Sequence, residues 1–141
     1  MALPETLAYV IHVLFAGLVT GSVLFAAWTL PAVQGSLSSN ARETFVSRLR
    51  MVSRSSALLL FATGGYMLSA FDYVPGDRLT GTGDGHLVLA MFVLWLAMTG
   101  VVEAASSKLA DGEDASTLLY VAAGLAALVL ADAGVLAAGG F

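Results

Sequence analysis

The sequence predicts an all-α integral membrane protein, a single bundle of four transmembrane helices with both termini outside. Three observations carry this. Hydrophobic residues make up 58% of the 141-residue chain and charged ones only 11%, whereas a soluble domain carries about 25% charged residues. Mean hydropathy is +0.87. Four apolar runs alternate with short polar segments, and about 20 such residues suffice for a helix to cross a bilayer. Four crossings use more than half of the chain, so a separate soluble domain does not fit.

The first span is expected over residues 6–30. Pro4 suits a helix start, and Pro31 suits a stop because it cannot continue the hydrogen-bond ladder. The run is longer than the apolar core of a signal peptide and has no positive segment before it, so it reads as a retained span. A polar linker, Gln34 to Ala41, follows. Asn40 with Glu43 three residues later resembles a capping box. The segment Arg42 to Arg54 is amphipathic, with Phe45, Leu49 and Val52 on one face. It leads into the second span, expected over 51–71, whose strictly apolar part starts only at Ser55. Asp72 to Gly85 is a loop, with Gly81-x-Gly83-x-Gly85 as its flexible end. No strand precedes that glycine run, so it is not a dinucleotide fingerprint. The third span is expected over 86–105, a loop over 106–116, and the fourth span over 117–138.

Orientation follows from the positive-inside rule. Arg42, Arg48, Arg50 and Arg54 belong to the first loop and its helical extension, and Lys108 to the third. The second loop holds only Arg78 and the N-terminal tail no base. The first and third loops therefore belong in the cytoplasm, in a multi-pass protein of the cell membrane.

Several function classes are excluded. The chain has no Cys, which removes thiolate metal sites and thiol catalysis. Its net charge of −4 argues against nucleic acid as a partner. The acidic residues gather in loops such as Asp111-Gly112-Glu113-Asp114, an archaeal-like pattern that fits a salt-loving host. There is no Walker loop, no His-Glu-x-x-His and no serine-nucleophile elbow. The expected partner is the lipid bilayer itself. The Gly17/Gly21 and Ala90/Ala97/Gly100 stripes suit either internal packing or a homo-oligomer.

An ionisable residue inside a span is costly and therefore a functional candidate. His12, His86, Glu103 and Asp132 qualify, with Arg54 at the margin. The predicted topology puts both histidines in the outer layer, His12 about 9 Å into its helix at 1.5 Å per residue. Two imidazoles from two helices can ligate a haem iron or a copper ion. His86 shares a helical face with Ala90, Val93, Ala97, Gly100 and Ala104, small enough to face the bundle. The same two residues also suit plain structural roles, His86 as part of a helix start and His12 as a hydrogen-bonded packing residue. Glu5 lies on the His12 face and is a candidate outer partner, as is Asp132. Arg54 and Glu103 lie at similar depth near the inner end and are expected to form a structural ion pair. The methionines are scattered, with no Met-x-x-Met cluster, and read as packing.

The run Tyr9-Val-Ile-His12-Val-Leu-Phe-Ala16-Gly-Leu-Val-Thr-Gly21 resembles the first helix of the copper-resistance D (CopD) family. Arg48 to Arg54, leading into Leu58-Leu-Leu-Phe-Ala-Thr63-Gly64-Gly-Tyr66, looks like that family's next helix. The likeness covers roughly residues 9–108. It implies a membrane protein of redox or copper homeostasis, with haem b or copper at His12 and His86. The HemJ-type protoporphyrinogen oxidases share the four-helix plan and first-helix His, and Phe15-Ala-Gly-Leu18 is similar to their pattern. That likeness implies bound haem b and oxidation of a porphyrinogen. Both families often carry a Lys near the start of the third helix, where this chain has His86. A third expectation is a cofactor-free structural or accessory subunit.

Overall fold

The computed structural model describes residues 2–139. It is all-α, with no strand among these residues. α1 covers Leu3–Val33. Pro4 occupies its first turn, and Glu5 accepts a 2.7 Å hydrogen bond from the Ala2 backbone N–H, satisfying one donor at the helix start. Pro31 does not stop the helix. It deletes a single backbone donor in the last turn, and Gln34 N–H resumes the ladder by donating to Leu30. A 3-10 turn, Gln34–Ser36, then redirects the chain.

α2 runs unbroken over Ser39–Ala70, so the amphipathic segment and the second apolar run are one helix of 32 residues. Its cap is Ser38, whose hydroxyl accepts from Ala41 N–H at 3.2 Å. Asn40 already lies inside the first turn and cannot cap it. A short turn, α3 (Arg78–Gly81), precedes α4 (Gly83–Ala110). The Gly-rich stretch is therefore built into helix rather than left as a flexible loop. Thr82 caps α4 by accepting from Gly85 N–H at 3.1 Å. Gly85 is buried against the Arg78 and Leu79 carbonyls, which leave no space for a Cβ. Both ends of α4 extend beyond the expected 86–105. α5 covers Ser116–Ala137. Just before α5, Asp114 Oδ1 accepts from Ser116 N–H at 2.9 Å, the Ser116 hydroxyl at 2.6 Å and Gln34 Nε2 at 2.6 Å.

Three helices among the described residues are long and apolar enough to cross a membrane: α1 with its 3-10 extension, α4 and α5. The fourth expected span, in α2, does not meet that measure. Arg42, Arg48, Arg50 and Arg54 occupy its first half, and Ser, Thr and Gly dilute the second. The 31 residues of α1 extend about 46 Å, against a hydrocarbon core of roughly 30 Å.

In cross-section α1 packs on α2 and α5, and α4 packs on α2 and α5, so α1 and α4 stand on a diagonal. The core has two joined parts. One gathers Val19, Val23, Leu49, Leu60, Met98, Val102, Ala122 and Ala126. The other, at the end that holds the Gln34–Ser36 turn, gathers Ala26, Ala27, Leu30, Val46, Ala105, Leu109, Ala115 and Leu119. Along the long helices, full burial starts at Val19 in α1, ends at Leu60 in α2, restarts at Met98 in α4 and ends at Val129 in α5. The third of the bundle at the α1 N-terminus is therefore not closed by a packed core. Among the described residues only Gly85 and Tyr73 are buried there, and Arg78 stacks over the Tyr73 ring at 4.7 Å.

Candidate functional site

His12 sits on the inward face of α1, in line with Val19 and Val23, and is half-buried. It lies nine residues past Leu3, about 14 Å along the helix, deeper than expected because the helix starts earlier. Its Nδ1 is 2.9 Å from Thr63 Oγ1 across the α1–α2 seam. The Thr63 hydroxyl also lies 2.6 Å from the Leu59 carbonyl. A carbonyl offers no proton, so at that distance the hydroxyl proton belongs to it. Thr63 is then left only as an acceptor, and His12 donates through Nδ1–H. Neutral imidazole carries one ring proton, so Nε2 keeps its lone pair. Gly64 makes room for the ring: a Cβ there would stand 3.3 Å from His12 Cε1. One ring nitrogen is thus fixed by a partner and the other keeps its lone pair, a state open to a ligating and to a packing histidine alike.

His86 is placed differently. It lies at the same end of the bundle, because α1 begins where α2 ends and α4 begins. But it is exposed, and its helical face points away from the core. Val93 is 62% exposed on that face, and Ala90, Ala97, Gly100 and Ala104 are exposed too. The small-residue stripe therefore faces outward, contrary to expectation. The interior of α4 is filled instead by Met98, Val102, Ala105 and Leu109, of which Met98 and Leu109 bring larger surfaces that gain more from packing. His86 Nε2 is 2.9 Å from the Thr80 carbonyl. That oxygen can only accept, so Nε2 carries the proton. The two rings have different partners, His12 the Thr63 hydroxyl on α2 and His86 the Thr80 carbonyl on α3.

The remaining candidates divide. Glu5 closes the start of α1 and forms no bond with His12 among the described residues. Asp132 is half-buried in the outer part of α5, with Oδ2 hidden and without a hydrogen-bond partner. Val121 and Leu128, on its face, are largely exposed. Arg54 meets Glu103 through Nε at 2.9 Å and Nη2 at 3.2 Å. Arg50 joins them, its Nε 3.6 Å from Glu103 and its Nη2 donating to Ser107 at 3.0 Å. This ladder of charges ties α2 to α4 at the inner side. Gly17 and Gly21 face open space, so neither serves packing inside the bundle.

Sequence reasoning missed Thr63 and Gly64 as partners of His12. Their adjacency in the CopD-like stretch was the available signal. It also missed the buried hydroxyls of Ser56 and Ser106, which have no partner among the described residues, and no sequence signal singled them out. No group of three or more His, Asp or Glu side chains converges as a metal site among the described residues. Comparison with protein-family models, curated proteins and solved structures finds no match to this chain.

Proposed function

We propose that the chain is a multi-pass protein of the cell membrane that ligates haem b or copper through His12, for redox or copper homeostasis. The observation that carries the reading is the His12–Thr63 hydrogen bond, which fixes the ring and leaves Nε2 free in the part of the bundle that lacks a packed core. In the same reading α2 is the fourth crossing. It runs beside α1 over nearly the same length, and its outer half shows Leu58 (70% exposed) and Phe61 (65%) outward, as a lipid-facing surface does. Four crossings with the arginines inside leave both termini outside. The fit to haem or copper is that of one ligand. His86 supplies a second only after giving up its bond to Thr80 and turning from its exposed face.

A second reading, a cofactor-free accessory subunit, is favoured by a specific observation: both imidazoles are already hydrogen-bonded within the protein. One experiment separates them. The protein is expressed with haem and copper supplied, purified in detergent, and its absorption spectrum and metal content are measured. A reduced haem band or stoichiometric copper, lost in His12→Ala and kept in His86→Ala, supports the His12 site. Loss in both restores the two-histidine site. A colourless, metal-free protein supports the accessory reading, and turnover of protoporphyrinogen by the haem form would make the chain an oxidase. The crossings are tested separately. Because the chain has no Cys, single cysteines at Ser47, Asp77 and Glu113 report sidedness by labelling of intact cells. Labelling at position 77 alone is expected.

A further inference from the structure

Beside the first turns of α2, next to the end of α4, lies a cavity of about 460 Å³ lined by Ser39, Arg42, Glu43, Val46, Ser47, Arg50 and Ala110. Six of these seven residues lie on one face of α2, and Val46 forms an apolar floor. Two arginines against one glutamate leave a charge of +1 in the lining. Neither arginine is fully used by the protein. Arg42 forms no ion pair among the described residues. Its guanidinium lies against Gly112, where a Cβ would stand 2.6 Å from Nη1. Arg50 bonds Ser107 through Nη2, but its Nε is buried with no hydrogen-bond partner. Glu103, the nearest carboxylate to that nitrogen, is 3.6 Å away and already takes two hydrogen bonds from Arg54. The Ser39 and Ser47 hydroxyls sit at the rim.

We propose that this cavity binds the phosphate headgroup of an anionic phospholipid from the inner leaflet, held between Arg42 and Arg50. The inference rests on the membrane-crossing part of the reading above and is independent of haem or copper. A phosphodiester carries one negative charge, which matches the excess in the lining. Guanidinium groups are suited to phosphate because several N–H donors meet several oxygens at once. Basic pockets between helices on the cytoplasmic side are where such headgroups bind.

The test uses the full chain in neutral detergent, offered equal amounts of phosphatidylglycerol and phosphatidylcholine, with bound lipid counted by native mass spectrometry. Selective retention of phosphatidylglycerol is expected. Arg42→Gln and Arg50→Gln should each lower it roughly five-fold, the worth of one basic residue near an anionic surface. Arg48→Gln, which removes an exposed arginine outside the cavity, should leave it unchanged. Helical content and melting temperature of each variant are measured alongside. Arg50→Lys, which keeps the charge, covers the case in which Arg50→Gln fails to fold, and should retain preference for the anionic lipid. Equal losses in all three Gln variants would show only diffuse attraction and overturn the proposal. So would equal retention of the two lipids. Stabilisation by inorganic phosphate with no further gain from phosphatidylglycerol would assign the cavity to the free anion instead, and also overturn it.

Discussion

Thr63→Val tests the assignment of the His12 ring most directly. The substitution keeps the size and branching of the side chain and removes the one hydroxyl that accepts from Nδ1–H. The helix loses little else, since the Leu59 carbonyl remains within the α2 ladder. A buried donor left without an acceptor costs about 1–3 kcal/mol. His12 is only half-buried, so the lower end, about 1 kcal/mol, is expected in unfolding by a denaturing detergent. In the proposed His12 site the effect on ligation is larger. Removing the partner of a ligating histidine costs roughly 10–100-fold in metal affinity, or about 1.4–2.7 kcal/mol. Thr63→Ser keeps the acceptor and should stay close to the parent in both measurements. Nitrogen NMR of labelled histidine reads the tautomer without any metal. Nδ1 should carry the proton of His12 in the parent and in Thr63→Ser, and the two tautomers should mix in Thr63→Val. A parent protein with the proton on Nε2 would refute the reasoning, because the free lone pair would then point at Thr63.

The remaining predictions concern the scaffold. Gly85→Ala should lower stability by about 1–3 kcal/mol, because backbone carbonyls rather than a flexible side chain occupy the space; thermal melts in detergent check it. Met98→Ala empties a fully buried position at the centre of the bundle and should cost about 2–5 kcal/mol by the same measurement. A double-mutant cycle of Arg54→Gln and Glu103→Gln should return a coupling of no more than about 1 kcal/mol, since Arg54 is two-thirds exposed. Asp114 is held below the usual carboxylate range by the Ser116 hydroxyl, the Ser116 backbone N–H and Gln34. Its contribution is fully present above the ordinary carboxylate pKa and disappears as pH falls through the lower folded value. Unfolding curves between pH 6 and the acid limit should therefore show a loss on the acid side that is absent in Asp114→Asn.

Much of the helical layout was legible because apolar runs longer than a crossing leave few alternatives to a helix. The bounds of α5 were anticipated within a residue. Termini set by local bonding were not. Pro31 was expected to break α1, yet a proline in a last turn deletes only one donor, and the ladder resumes at Gln34. Asn40 matched a capping pattern, but Ser38 came first in extended conformation and took the role. The two histidines show the same limit at the site. His12 lies in phase with Val19 and Val23, large residues that the structure turns to the core, and its ring is carried inward with them. His86 lies in phase with alanines and glycines. Small residues permit close packing without requiring it, and the structure buries the bulkier Met98 face instead. Hydropathy likewise could not decide α2, whose arginines and serines pull its average down while its outward side chains remain apolar.

The unequal packing along the bundle has a consequence for motion. Helix segments around Val19–Leu30, Val46–Leu60, Met98–Leu109 and Leu119–Val129 share one buried interior, and the Gln34–Asp114–Ser116 hydrogen bonds tie their inner ends together. Such a unit opens as a whole, whereas segments outside it open by themselves at lower cost. Amide hydrogens near His12, Thr63 and Asp132 should thus exchange with solvent well before those around Met98. The bundle is thus divided along its length, with one half that holds together and another whose helix ends move more independently.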